Sequence, residues 1–463
     1  MENNYRNLIE QTFEFPQEGF EVQDNTLRFL GMDLMAIIKE YGTPLKLSYL
    51  PKISEQIVKA KGCFRKSMRK YGYQGQYLYC YCTKSSHFSY VLQEALKNDI
   101  HLETSSAYDI HIVHKLIEQG LVTKDTYLVH NGYKREQYVE LIAGLINDGF
   151  NSLPVLDNLN ELSFFKTVVK KECNIGIRIA TGEEPQSNYY TARLGIRHRE
   201  IQEYYMNVIR HEKLFKLKML HFFIDNGIED SLYYWNELQK CLKVYCDLKK
   251  ECPTLDSLNI GGGFPVKHSL ADEFDYQYLT DEIVRQIKEF CEEQGVPVPN
   301  IFSEFGSYTV AESGAAIYSI IDQKRQNDVE WWNMIDSSFI TTLPDSWAIN
   351  QKFIMLAINR WDSEFERVNL GGLTCDSQDY YNVEAHVNNI YLPEYRVDEP
   401  LYIGFFNTGA YQNALGGYGG VQHCLIPSPK QVLVYKDEQG EMKTELFAEE
   451  QGPESMMKML GFK

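Results

Sequence analysis

The sequence predicts an α/β protein: a (β/α)8 barrel joined to a β domain. Three observations predict it. From about Gln76 to Ser307, apolar and β-branched stretches alternate with stretches of helical period. The strand candidates number eight, the count at which parallel βαβ units close into a barrel. Beyond residue 310 the helical period fades and short strand-like stretches take over, among them FIMLAIN, PLYIGFF and KQVLVYKD.

In chain order the eight candidates are QYLYCYCT, IHLETSS, TYLVHNG, LPVLD, IGIRIA, KMLHFFID, SLNIGG and NIFSEFG. Helical segments follow most of them, such as FSYVLQEALKN after the first and YQYLTDEIVRQIKEFCEEQG after the seventh. An open doubly wound sheet is the alternative arrangement of the same units. On these patterns the chain is expected to divide into residues 1–40, an N-terminal strand and helix that pack with the β domain; 41–309, the barrel; and 310–463, the C-terminal β domain. EVQDNTLRFLG is the N-terminal strand assigned to that domain, and GPESMMKMLGF reads as a closing helix.

The net charge of −18 argues against nucleic-acid binding. It suits a cationic small substrate, although a solvated acidic surface explains it as simply. Among 463 residues there is no run of about 18 apolar ones, so no membrane span is expected. The start, MENNYRNLIEQTFEFPQ, lacks the pattern of a signal peptide, and a cytoplasmic location is the expectation. Ten cysteines show neither a disulfide framework nor paired ligands at zinc spacing, so no metal site is expected. Cys80 and Cys82 read as alternate residues on one face of a buried strand.

In a barrel of this kind the active site gathers at the C-terminal ends of the strands. Those ends carry Lys84, Glu103, His130 with Asn131, Asp157, Arg178, Asp225 with Asn226, the run Gly261-Gly262-Gly263, and Glu304. Three glycines let backbone N–H groups close on an anion such as phosphate, although a tight βα turn also uses them. A phosphate cradle, a strand-end lysine and a carboxylate on the neighbouring strand together suggest pyridoxal 5'-phosphate (PLP). Alone, Lys84 would read as a solvated lysine. GGLTCDSQDYY adds Cys375, Asp376 and Asp379, and FFNTGAYQNALGGYGG adds Tyr411.

With these motifs in order, the chain resembles the fold-type III PLP-dependent decarboxylases, the alanine-racemase-like family of ornithine, diaminopimelate and biosynthetic arginine decarboxylases. The resemblance runs from YGTPL near residue 41 to GAY at 409–411. YCTK implies Lys84 as the Schiff-base lysine, HLETSS places Glu103 beside the cofactor, LNIGGGFP supplies the phosphate glycines, and SEFG places Glu304 at the pyridine nitrogen. Arg178 and Asn226 join the implied cofactor-binding set. CDSQD implies Cys375 as the proton donor and Asp376 and Asp379 as substrate carboxylates, and GAY brings Tyr411 to the phosphate. The resemblance also implies a homodimer with active sites shared between subunits. Two departures stand out. HFFIDNG puts Phe223 where the family has a ring-stacking histidine, and Ser307 replaces the arginine that often follows Glu-x-Gly.

VHNGYKREQY and SEFG resemble the arginine decarboxylases most, which implies conversion of L-arginine to agmatine and CO2 in polyamine biosynthesis. Ornithine, lysine and carboxynorspermidine-type substrates are the alternatives. A racemase of the same barrel would place an arginine at the pyridine nitrogen, so Glu304 argues against it. A non-catalytic PLP-binding homologue is the alternative of another class.

Overall fold

The computed structural model describes residues 4–182, 193–225, 227–381 and 389–462. They fall into two compact units. One comprises Ser54–Pro265 and Phe274–Thr309; the other comprises Met1–Ile53, Val266–Glu273 and Val310–Lys463.

The first unit is the barrel. Its strands are β1 (Tyr77–Cys82), β2 (His101–Thr104), β3 (Leu128–His130), β4 (Ser152–Leu156), β5 (Cys173–Ala180), β6 (Phe215–His221), β7 (Ser257–Asn259) and β8 (Asn300–Glu304). Each pairs in parallel with the next, and β8 returns to β1 with Glu304 opposite Cys80. That last pairing closes the ring and excludes the open sheet. Parallel strands covered by helices are buried on both faces and need nearly continuous apolar runs. YLYCYC and SLPVL are such runs. Cys80, Val129, Leu153, Val155, Met219 and Phe302 fill the interior. Gly176 faces this packing, and a Cβ there would come within 3.1 Å of Val155.

Helix starts are chemically marked. The helix Ala107–Glu118 opens with a capping box, in which Ser106 accepts from the Asp109 amide and Asp109 accepts from the Ser106 amide. The helix Tyr276–Glu293 is capped by Asp275.

The second unit is built on a ten-stranded mixed sheet. Leu45–Tyr49 sits inside that sheet, antiparallel to Gly314–Arg325 on one side and parallel to Lys430–Lys436 on the other. The sequence alone places these residues at the head of the barrel segment, 41–309. Their strict alternation of buried and half-buried side chains is that of a strand covered on one face only. EVQDNTLRFLG lies in this same unit as two strands, Phe20–Gln23 against Thr26–Phe29, which with Met32–Asp33 make a small three-stranded sheet of their own. Asp24 and Asn25, both at positive φ, make its turn. The helix Pro453–Met459 occupies the expected closing segment. Among the described residues, no helix is long and apolar enough to cross a membrane.

Candidate active site

The C-terminal mouth of the barrel gathers two buried carboxylates. Glu103, the penultimate residue of β2, is fully buried; Glu304 ends β8 and is 4% exposed. Burying such groups is costly unless they are paired or hydrogen-bonded. Both conditions are met. Lys84 follows β1 in a short 3-10 turn, and its Nζ lies 2.9 Å from Glu103 Oε2. Asn131, just past β3, donates from Nδ2 to Glu103 Oε1 at 3.1 Å and to both oxygens of Glu304 at 2.9 Å. Asn259, the last residue of β7, donates to Glu304 Oε1 at 2.6 Å. Cys82 donates its thiol proton to the Glu304 carbonyl at 3.0 Å, so the second cysteine of YCYC ties β1 to β8.

His221, at the end of β6, places Nδ1 3.5 Å from Glu304 Oε1. Burial pushes this imidazole down to about 3, helped by the nearby Arg178 charge, so it is neutral at physiological pH and the approach is not an ion pair. Arg178, on β5, is lowered by burial and held up by Asp157, Glu304, Asp225 and Glu103. Its guanidinium carbon lies 5.8 Å from the centre of the Phe223 ring.

The glycine run follows β7 directly. Gly261 and Gly263 have φ of +72° and +90°, in the left-handed region. A Cβ at Gly261 would lie 2.5 Å from the Phe222 carbonyl, and one at Gly263 would collide with the Gly227 Cα. The loops after β6 and β7 are therefore packed backbone to backbone, and Ile228 N donates to Gly263 O at 2.8 Å. Gly262 rests against the Glu304 carbonyl, where a Cβ would lie 2.6 Å from the oxygen.

Among the barrel positions singled out from sequence, Lys84, Glu103, Arg178, Phe223, the three glycines and Glu304 all lie at this mouth, while Asn226 is outside the described residues. The sequence marks Asn131 as a strand-end residue without giving it a part, and Asn259 and His221 escape it. Their signal is a polar residue closing an otherwise apolar strand, as in SLN and KMLH.

The other site residues belong to the second unit. Cys375 is exposed and Asp376 is half-buried, its Oδ1 accepting from Gln378 N at 2.8 Å. Tyr411 is half-buried at a φ of 65°. Asp379 differs from expectation. It is 5% exposed, and its carboxylate accepts from the Phe339, Ile340 and Thr374 amides and the Thr374 hydroxyl. Those four donors tie its loop to the start of the helix Phe339–Thr342 and leave it poorly placed to receive substrate.

Known proteins agree on a family. Residues 54–311 match the model described as pyridoxal-dependent decarboxylase, pyridoxal binding domain. The biosynthetic arginine decarboxylase of Bacteroides thetaiotaomicron is 23% identical, with 87% of this chain and 81% of that protein aligned. Its counterpart from Thermosynechococcus vestitus is 21% identical over 81% and 76%. Among solved structures, the biosynthetic arginine decarboxylase of Campylobacter jejuni superposes with a TM-score of 0.82 at 20% identity, covering 100% of this chain and 91% of that one. The diaminopimelate decarboxylase of M. jannaschii gives 0.77 at 16%, covering 95% and 97%.

The barrel mouth fits the cofactor this family uses. It offers a lysine amine beside a carboxylate, and a second carboxylate held by two amides. Three further buried polar atoms there, Asn131 Oδ1, Arg178 Nε and His221 Nδ1, have no hydrogen-bond partner among the described residues. Buried polar groups seldom stay unpaired unless a polar guest answers them. The match over more than half the chain and this donor set lead to one conclusion: the chain belongs to the pyridoxal-dependent decarboxylases and is a PLP-dependent carboxy-lyase.

Proposed function

We propose that the chain converts L-arginine to agmatine and CO2, a step of polyamine biosynthesis, as a cytoplasmic homodimer with shared active sites. The observation that carries the substrate is the alignment, over most of both chains, with proteins named biosynthetic arginine decarboxylase. NGYK and SEFG point the same way.

Bound PLP supplies an electron sink for the pair released as the bond between Cα and the carboxylate breaks. Around it, Lys84 holds the cofactor aldehyde and Glu103 positions the lysine amine, 2.9 Å away. Glu304, fixed by Asn131 and Asn259, keeps a proton on the pyridine nitrogen. Neutral His221 adds no second positive charge beside that proton. Gly261 to Gly263 and the Tyr411 hydroxyl serve the phosphate, with Arg178 and Asn226 completing the cofactor set. Phe223 presents an apolar face that excludes water from the departing carboxylate. Cys375 of the opposite subunit returns a proton to Cα, and Asp376 receives the guanidinium.

With Asp379 engaged by the Phe339 amide and the Thr374 hydroxyl, Asp376 is a single carboxylate, which suits an ammonium as well as a guanidinium. Ornithine, lysine and carboxynorspermidine are therefore the competing substrates. Release of CO2 from a panel of these amino acids, with the amine products identified, tests the assignment. Arginine should exceed each rival in kcat/KM by about tenfold or more. A larger value for any rival overturns arginine as the substrate.

A further inference from the structure

The ten cysteines sort sharply by exposure. Seven are buried, Cys63 is half-buried, and only Cys375 and Cys424 are exposed. Those two are 49 residues apart in sequence, yet their Sγ atoms lie 3.4 Å apart. His423 joins them: the two sulfurs and one of its ring nitrogens all lie within 4.8 Å of one another. Asp376 Oδ2 stands 3.9 Å from His423 Nε2. The chain holds consecutive left-handed residues at this point, Cys424 at φ 52° and Leu425 at φ 54°. Non-glycine residues seldom take that conformation unless something keeps them in it.

A tetrahedral zinc ion takes sulfur at about 2.3 Å and imidazole nitrogen at about 2.0–2.1 Å, which spaces its ligands about 3.5–3.8 Å apart. The three side chains already stand near that spacing, and being exposed they can rotate to meet it. The other close pair of thiols, Cys246 and Cys291 at 4.0 Å, is buried.

We propose that Cys375, Cys424 and His423 form a binding site for a thiophilic divalent cation, Zn2+ by the softness of its ligands, with the fourth position open to Asp376 or water. On binding, two S–H bonds ionise, two S–Zn bonds form, and two protons pass to solvent. The site stands on these three side chains alone. Its consequence for turnover rests on the role proposed for Cys375: a zinc-bound thiolate has no proton to give, so Zn2+ inhibits.

The test uses the full-length, PLP-loaded protein, reduced and stripped of metal, titrated with Co2+ and then Zn2+. One Co2+ per chain should produce near-ultraviolet thiolate-to-cobalt absorption with release of about two protons, and Zn2+ should abolish the band by exchange with no further proton release. Cys424→Ser and His423→Ala should each weaken binding about tenfold or more, with the cofactor spectrum and metal-free turnover retained. No band in the parent protein, or an undiminished band in Cys424→Ser, overturns the site. So does loss of two hydrogens on air oxidation when the reduced protein takes up no metal, which would make the pair a disulfide instead. Metal uptake without inhibition supports the site and counts against Cys375 as the proton donor, so the two readings fail separately.

Discussion

A single amide group, Nδ2 of Asn131, stands between the carboxylates of Glu103 and Glu304. Asn131→Ala leaves both short of a donor, at a cost of about 1–3 kcal/mol. Denaturant midpoints should fall accordingly, and dialysis should strip PLP faster than from the parent protein. Asn131→Asp should be worse, because it puts a third carboxyl beside two. Lys84→Ala should abolish both the visible absorbance of the bound cofactor and turnover; steady-state CO2 release from that variant would remove Lys84 from its role. At this scale the sequence is readable where a residue type is unusual for its place. A lysine after YCYCT and a glutamate closing NIFSE are such cases. Asn259 is not, because an asparagine at a strand's end is also a common turn residue. Asp379 reads as a ligand because two carboxylates in one polar loop suit a cation. Only the fold shows Phe339, Ile340 and Thr374 arriving to occupy it.

The glycine run after β7 combines two separate demands, and substitutions divide them. Gly295 has φ +67° with nothing within 4 Å of its Cβ position, so Gly295→Ala meets only the left-handed penalty, about 1 kcal/mol. Gly263→Ala meets that penalty and a collision with Gly227, and should lose about 1–3 kcal/mol more. Thermal unfolding of the two variants measures the difference; equal losses would mean that the loops can part without cost. Whole strands are the most legible elements, because short apolar runs flanked by turns have few other uses. All eight barrel strands overlap the stretches read from sequence. The membership of Leu45–Tyr49 is not legible. Its period identifies a strand, but its partners begin at residues 314 and 430, and no local pattern carries that pairing.

At the scale of the whole molecule, two buried histidines couple stability to pH. His130 is fully buried between Thr104 and Ser152, and His221 is 1% exposed. Burial pushes each down to about 3, against about 6.5 in an unfolded chain. Below pH 6.5 the unfolded state takes up protons that the folded state refuses, so this contribution is complete above 6.5 and is lost as pH falls toward 3. The two together should give a slope of about 2.7 kcal/mol per pH unit within that window. His130→Gln should halve it in a series of denaturant titrations. Assembly has its own test. If active sites are shared, coexpressed Lys84→Ala and Cys375→Ala chains should recover about a quarter of parental activity, from mixed dimers with one intact site. Activity no higher than that of either variant alone would place each site within one subunit. The strand Leu45–Tyr49 carries a last consequence, for how the protein is made. At about 5–20 residues per second, a ribosome needs roughly 20–80 s after that strand to reach Lys430–Lys436. Throughout that interval a strand with one apolar face has at least one edge unpaired, while the barrel residues between are synthesised. Yield should therefore depend on what shelters those five residues during synthesis more than on the stability of the barrel.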